Sequence, residues 1–138
     1  MLKLKRGIVW VVSIVFTSIL FGCSIQNYDT KKEKDVDYTI VTEDEMPEEI
    51  EKILSESQEE NYRKTYSDRD YLYLIIGYGA QPTSGYSIEV QEVYESSNAI
   101  YITTMLKGPS RIEKVFETVT YPSVVVKIPD TEKPVVFQ

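Results

Sequence analysis

Very few residues in this chain could do covalent or acid–base chemistry. There is no histidine, which removes the commonest general base and metal ligand, and Cys23 is the single cysteine. One thiol can form neither an internal disulfide nor a thiolate metal cluster. No glycine-rich loop ending in Lys-Ser or Lys-Thr is present to cradle a phosphate. Glu89, Glu92 and Glu95 are spaced closely enough to suggest a carboxylate cluster, but they fall where a strand would face solvent. The chain therefore reads as a non-enzyme, with no metal, no cofactor and no small-molecule substrate implied. What remains is a rigid corner, Gln81-Pro82-Thr83-Ser84-Gly85-Tyr86, and the lone thiol.

The thiol lies at the end of a leader. Lys3, Lys5 and Arg6 open the chain, and the run Ile8 to Phe21 is almost wholly apolar, with no acidic residue before Asp29. As a helix that run would reach about 21 Å, short of the roughly 30 Å of a hydrocarbon core, so it suits a secretory signal better than a span. Leu20-Phe21-Gly22-Cys23 resembles a bacterial lipobox, although Phe21 stands where that pattern usually has a small residue. The resemblance implies a signal peptide over 1–22, acylation of Cys23, and a lipid-anchored chain outside the cell in the envelope. A short uncleaved anchor would also leave the remainder facing outward.

The chain carries a net charge of −7 although Lys3, Lys5 and Arg6 lie in the leader, so the exported part is more acidic still. Nucleic acid is excluded as a partner, because phosphate contact needs clustered Lys and Arg. Charge alone would not hold it to an anionic membrane either, which leaves lipid on Cys23 as the attachment. The acid is concentrated early: Asp29 to Asp70 holds 15 acidic and 7 basic residues, and the rest of the chain is nearly balanced and more apolar.

The elements that must hold the corner follow from periodicity. Residues 23–37 are polar and short of large apolar groups, predicting a lipidated tether ahead of one domain over 38–138. Tyr38 to Thr42 has the β-branched content of a short strand. In Asp44 to Gln58, Pro47 and the glutamates after it suit a first helical turn, and Ile50, Ile53 and Leu54 form one apolar stripe. Tyr71 to Ile76 is apolar on both faces, as in a strand covered on both sides. Tyr86 to Val90 alternates, slips by one near Glu92 to Tyr94 as at a bulge, and turns at Glu95 to Asn98 into a return strand, Ala99 to Leu106.

Arg111 to Thr120 fits a short helix or a wide loop. Ser123 to Ile128 places Val124, Val126 and Ile128 inward, and Val135 with Phe137 offers a last short strand. The sum is a single small α+β domain, an antiparallel sheet of about five strands with one amphipathic helix; a small β-sandwich or partly open barrel is the alternative.

Two stretches carry a second resemblance. Gly79 to Ile88 resembles the G-x-x-P-T-G-G-Y-x-I signature of the PrcB C-terminal-domain family, and Thr120 to Pro129, with Tyr121, Pro122 and Lys127, resembles its closing T-Y-P-x-x-x-V-K-I-P. The likeness is strongest over 71–137. Ser84 departs from the second glycine of the pattern, and Gly108 to Val119 lacks the family's usual P-G-P-G-like run.

The family resemblance implies a non-catalytic subunit that accompanies or stabilises an exported protein such as a protease. Tyr78, Gln81, Pro82, Thr83, Ser84, Gly85 and Tyr86 are the expected partner contacts, with Tyr78 and Tyr86 as an exposed recognition pair. Pro82 to Tyr86 is also similar, over five residues, to a loop of chagasin-like cysteine-protease inhibitors, which implies inhibition as the alternative function.

Overall fold

A computed structural model describes residues 27–138, so the leader and Cys23 lie outside the described residues. In chain order the elements are β1 (Lys34–Asp35), β2 (Thr39–Ile40), a 3-10 turn (Glu43–Glu45), helix α1 (Glu48–Ser57), β3 (Asn61–Ser67), β4 (Tyr71–Tyr78), β5 (Ser87–Glu95), β6 (Ile100–Lys107), β7 (Ser123–Pro129) and β8 (Val135–Phe137). They form two four-stranded sheets, ordered β1-β5-β6-β8 and β2-β7-β4-β3. All pairings are antiparallel except β6 with β8. The α+β expectation holds, with the sheet divided into two packed layers rather than closed into a barrel.

Strand β4 explains the layering. Its Leu72, Leu74 and Ile76 enter the core between the sheets, where they meet Val93, Ile100, Ile102, Val124, Val126 and Ile128. Its Tyr73 and Ile75 face the other way, into a second core with Ile50, Tyr62 and Val125. A strand whose two faces are both buried must be apolar on both, as the sequence of Tyr71–Tyr78 is. Helix α1 supplies the third layer. Pro47 precedes it, Glu48, Glu49 and Glu51 occupy its first turn, and its fully buried Ile50 faces the sheet with Ile53 and Leu54 beside it.

Strand β3 is absent from the sequence reading. It pairs with β4 along its whole length, from Asn61 against Tyr78 to Ser67 against Leu72. The sequence NYRKTYS hides it, because Lys64 sits between Tyr62 and Tyr66 on the helix-facing side, its ammonium donating to Ser57 Oγ (2.7 Å), and so interrupts any apolar signal. The slip near Glu92 is a real irregularity: the β5–β6 register shifts between Val90 and Glu92. Between β6 and β7, Arg111 to Thr120 contains no helix and forms the wide loop.

The segment expected as a tether is, in its described part, fastened to the first sheet. Asp29 N–H donates to Asn98 Oδ1 (2.8 Å), Ser97 Oγ donates to Asp29 Oδ2 (2.9 Å), and Asn98 Nδ2 donates to Asn27 O (3.0 Å). Tyr94 Oη reaches Thr30 O, and β1 then pairs with the end of β5 before the chain crosses to the second sheet as β2. The physical reason is an apolar surface needing cover. Tyr94 and Tyr101 stack on the outer face of the first sheet, centroids 4.8 Å apart, and both are buried.

Candidate functional site

The β-strand order brings two loops together at one pole of the sandwich. β4 ends there at Tyr78, β5 begins at Ser87, β6 ends at Lys107 and β7 begins at Ser123. The registers Ser87 with Lys107 and Gly77 with Ser123 align these ends. The loops between them, 79–86 and 108–122, therefore meet.

Leaving β4, the chain turns at Gly79, whose φ of +73° suits glycine, and any Cβ there would lie 3.2 Å from the Glu59 carbonyl oxygen. Gln81 and Thr120 then exchange backbone hydrogen bonds of 2.8 and 3.0 Å, an isolated antiparallel bridge between the loops. Gln81 Nε2 donates back to Tyr78 O (3.1 Å) and closes the first turn. Thr120 Oγ1 donates to Thr83 O (2.7 Å), and Thr83 Oγ1 donates to Ser84 O (2.9 Å). Ser84 N–H donates to Phe116 O (3.0 Å) while Phe116 N–H donates to Ser84 Oγ (2.8 Å). The hydroxyl that departs from the family's glycine thus holds the second loop.

Gly85 has φ +88°, and a Cβ there would stand 2.8 Å from Pro109 Cβ and 3.1 Å from Val115 Cγ1. The half-buried Tyr86 ring lies against Gly108. Pro82, exposed at the apex, pre-sets φ for the corner. The corner is a buttress: every residue from Gln81 to Gly85 except Pro82 contacts the second loop through a bond or close approach.

What the buttress presents is apolar. Ile112 is 95% exposed, Phe116 77%, Val119 52% and Tyr121 37%. Large side chains left this bare gain nothing in an isolated domain, and a long loop with no regular structure is a frequent place for binding residues. Around them Arg111, Glu113, Lys114 and Glu117 supply an exposed rim of balanced charge.

The sequence-predicted contacts divide accordingly. Tyr78 is not an exposed recognition residue: Tyr78 Oη bonds Thr104 Oγ1 (2.8 Å), and the Arg63 guanidinium lies 4.5 Å from the ring centroid. Arg63 Nη1 also donates to Gly77 O (3.0 Å), so Tyr78 is clamped as the corner's footing. Tyr121 and Pro122 lie at the pole, where Pro122 O accepts from Tyr78 N–H (3.2 Å). Lys127 does not join them; its Nζ sits 4.7 Å from the Tyr71 ring at the other end of β7. Ile112, Phe116 and Val119 were missed. The sequence leaves their segment open between a short helix and a wide loop, and so assigns these three large apolar residues no face.

The glutamates of β5 do not converge as a catalytic set, for each is bound to a lysine. Glu89 meets Lys107, Glu92 meets Lys32 at 2.7 Å, and Glu95 meets Lys133 and Lys34, the latter at 3.1 Å. The Lys133 ammonium, and then that of Lys34, holds the Glu95 carboxyl below its ordinary value. Among the described residues no group of three His, Cys, Asp or Glu side chains is arranged to hold a metal ion, and no helix is long and apolar enough to cross a membrane.

Residues 72–129 match the family model described as PrcB C-terminal. The match begins inside β4 and ends with β7, so it spans both loops of the pole. No curated protein and no solved structure matches the chain.

Proposed function

We propose that this chain, whose residues 72–129 match the PrcB C-terminal family model, is a lipid-anchored accessory subunit of an exported protein complex. The partner is a protease or a comparable exported protein, and the attachment is lipid on Cys23. The observation that carries this reading is the apolar cluster of Ile112, Phe116 and Val119, held out on a loop that the Gly79–Tyr86 corner braces. A braced loop loses little freedom on docking, so more of its contact energy appears as affinity. The family resemblance supports the protease as partner, and the lipobox-like Leu20 to Cys23 supports the envelope as location.

The test is capture of crosslinked partners from intact cells, with the domain's folding checked by circular dichroism. Phe116→Asp combined with Ile112→Asp is expected to abolish capture while the fold persists, since both side chains are exposed. Undiminished capture by the folded double variant would sink the reading. Palmitate labelling of the wild type, absent in Cys23→Ala, checks the anchor separately.

Inhibition through Pro82 to Tyr86 draws less support from this geometry, because Thr83, Ser84 and Gly85 are occupied by the second loop and only Pro82 projects freely. Slowing of a panel of cysteine and serine proteases by the purified protein would reverse that preference.

A further inference from the structure

Beside the braced loops, on the helix side of the second sheet, lies an open pocket of about 360 Å³. Its walls include Met46, Leu54, Tyr62 and Tyr121, with the carboxylates of Glu43 and Glu51 at its rim. No lysine or arginine lines it, and neither Glu43 nor Glu51 enters an ion pair among the described residues. The glutamates of β5, by contrast, already have lysine partners.

The geometry points to a binding pocket for a basic side chain, a lysine or arginine of a partner protein. Met46 and Leu54 give it an apolar wall suited to the methylene stem that both residues carry, beside the polar Ser55, Gln58 and Ser123. Tyr121, 37% exposed, offers a ring face to the cation, and Arg more than Lys stacks on such a surface, whereas the Tyr62 ring lies against Gly77 with the Lys64 ammonium 5.8 Å from its centroid. Burial raises the Tyr62 phenol above its ordinary value, while the Ser123 hydroxyl bonds to it, so that wall stays neutral at physiological pH. Two carboxylates at the mouth would meet the charged end. An anionic ligand would be repelled there, and a wholly apolar one would strip water from Glu43 and Glu51 with nothing in return.

Tyr121 belongs to the pocket and also to the base of the apolar loop. The inference therefore deepens the docking reading on which it rests: the partner would present a basic residue next to an apolar patch.

The probe is N-acetyl-arginine N-methylamide, titrated into the isotope-labelled full chain in non-ionic detergent and followed by amide chemical shifts. Saturable shifts confined to Glu51, Leu54, Tyr62 and Ser123 are expected, with no comparable shifts from the norleucine analogue. Glu43→Gln with Glu51→Gln, both exposed and so compatible with folding, is expected to weaken binding about tenfold, as loss of two half-solvated charge partners should. Equal response to norleucine, no response to arginine, or the same shifts produced by calcium chloride alone would each overturn the assignment. Phe116→Asp separates the two claims, since it removes partner capture under the docking reading yet leaves arginine binding unchanged.

Discussion

At the scale of single residues, the corner's composition is explained by what touches it. Pro82 and Gly85 were legible in the sequence as turn residues, because fixed and positive φ values are local requirements. Their purpose was not legible, since the loop they brace lies about 30 residues further on and only the strand registers bring it back. Tyr78 illustrates the same limit: its type suggested an exposed contact, whereas Arg63 and Thr104, both distant in sequence, claim its ring and hydroxyl. Gly85→Ala tests the bracing. An added methyl would be strained at φ +88° and would press on Pro109, so a loss of about 2 kcal/mol in urea unfolding is expected. The Phe116 amide, bonded to Ser84, should also lose protection from hydrogen exchange. Unchanged stability and unchanged protection would show that the corner does not hold the loop.

At the scale of elements, the sequence predicted what was strongly periodic. Helix α1, the doubly apolar β4, the irregular β5 and the inward face of β7 each follow from their own residues. β3 and β1 do not, because an edge strand needs only one good face, and a two-residue strand has no period to read. The helix gives a sharp prediction. Ile50 is fully buried between α1 and the second sheet, and Ile50→Ala should cost about 3 kcal/mol of unfolding free energy. Thermal and urea unfolding would measure it. A cost below about 1 kcal/mol would mean that the helix is a surface addition rather than a third layer.

At the scale of the whole molecule, titration should bound stability on both sides. Backbone N–H donation from Lys31 lowers the Asp29 carboxyl, that from Tyr71 lowers Asp68, and Lys133 lowers Glu95. Groups depressed in the folded state stabilise it above about pH 4.5, and that contribution fades as pH falls through their folded values. Burial raises the phenols of Tyr62, Tyr73 and Tyr101. Their contribution is intact below about pH 10 and is lost as pH rises further, because the unfolded chain ionises first. Urea midpoints measured from pH 3 to 11 should therefore show a plateau with two falling limbs. Glu95→Gln should soften the acid limb and Tyr101→Phe the alkaline one; a flat profile would contradict both.

The hydrogen bonds that fix Asn27 and Asp29 to the Ser97–Asn98 turn have a directional consequence. That turn caps the far end of β5, a strand of nine residues that rises about 30 Å to the bare side chains of Ile112 and Phe116. Were Cys23 lipidated as proposed, the membrane would be the floor, and the hydrophobic loop the summit, of an upright post. A partner docking on that loop as proposed would then approach from above, at a height the length of one hairpin sets.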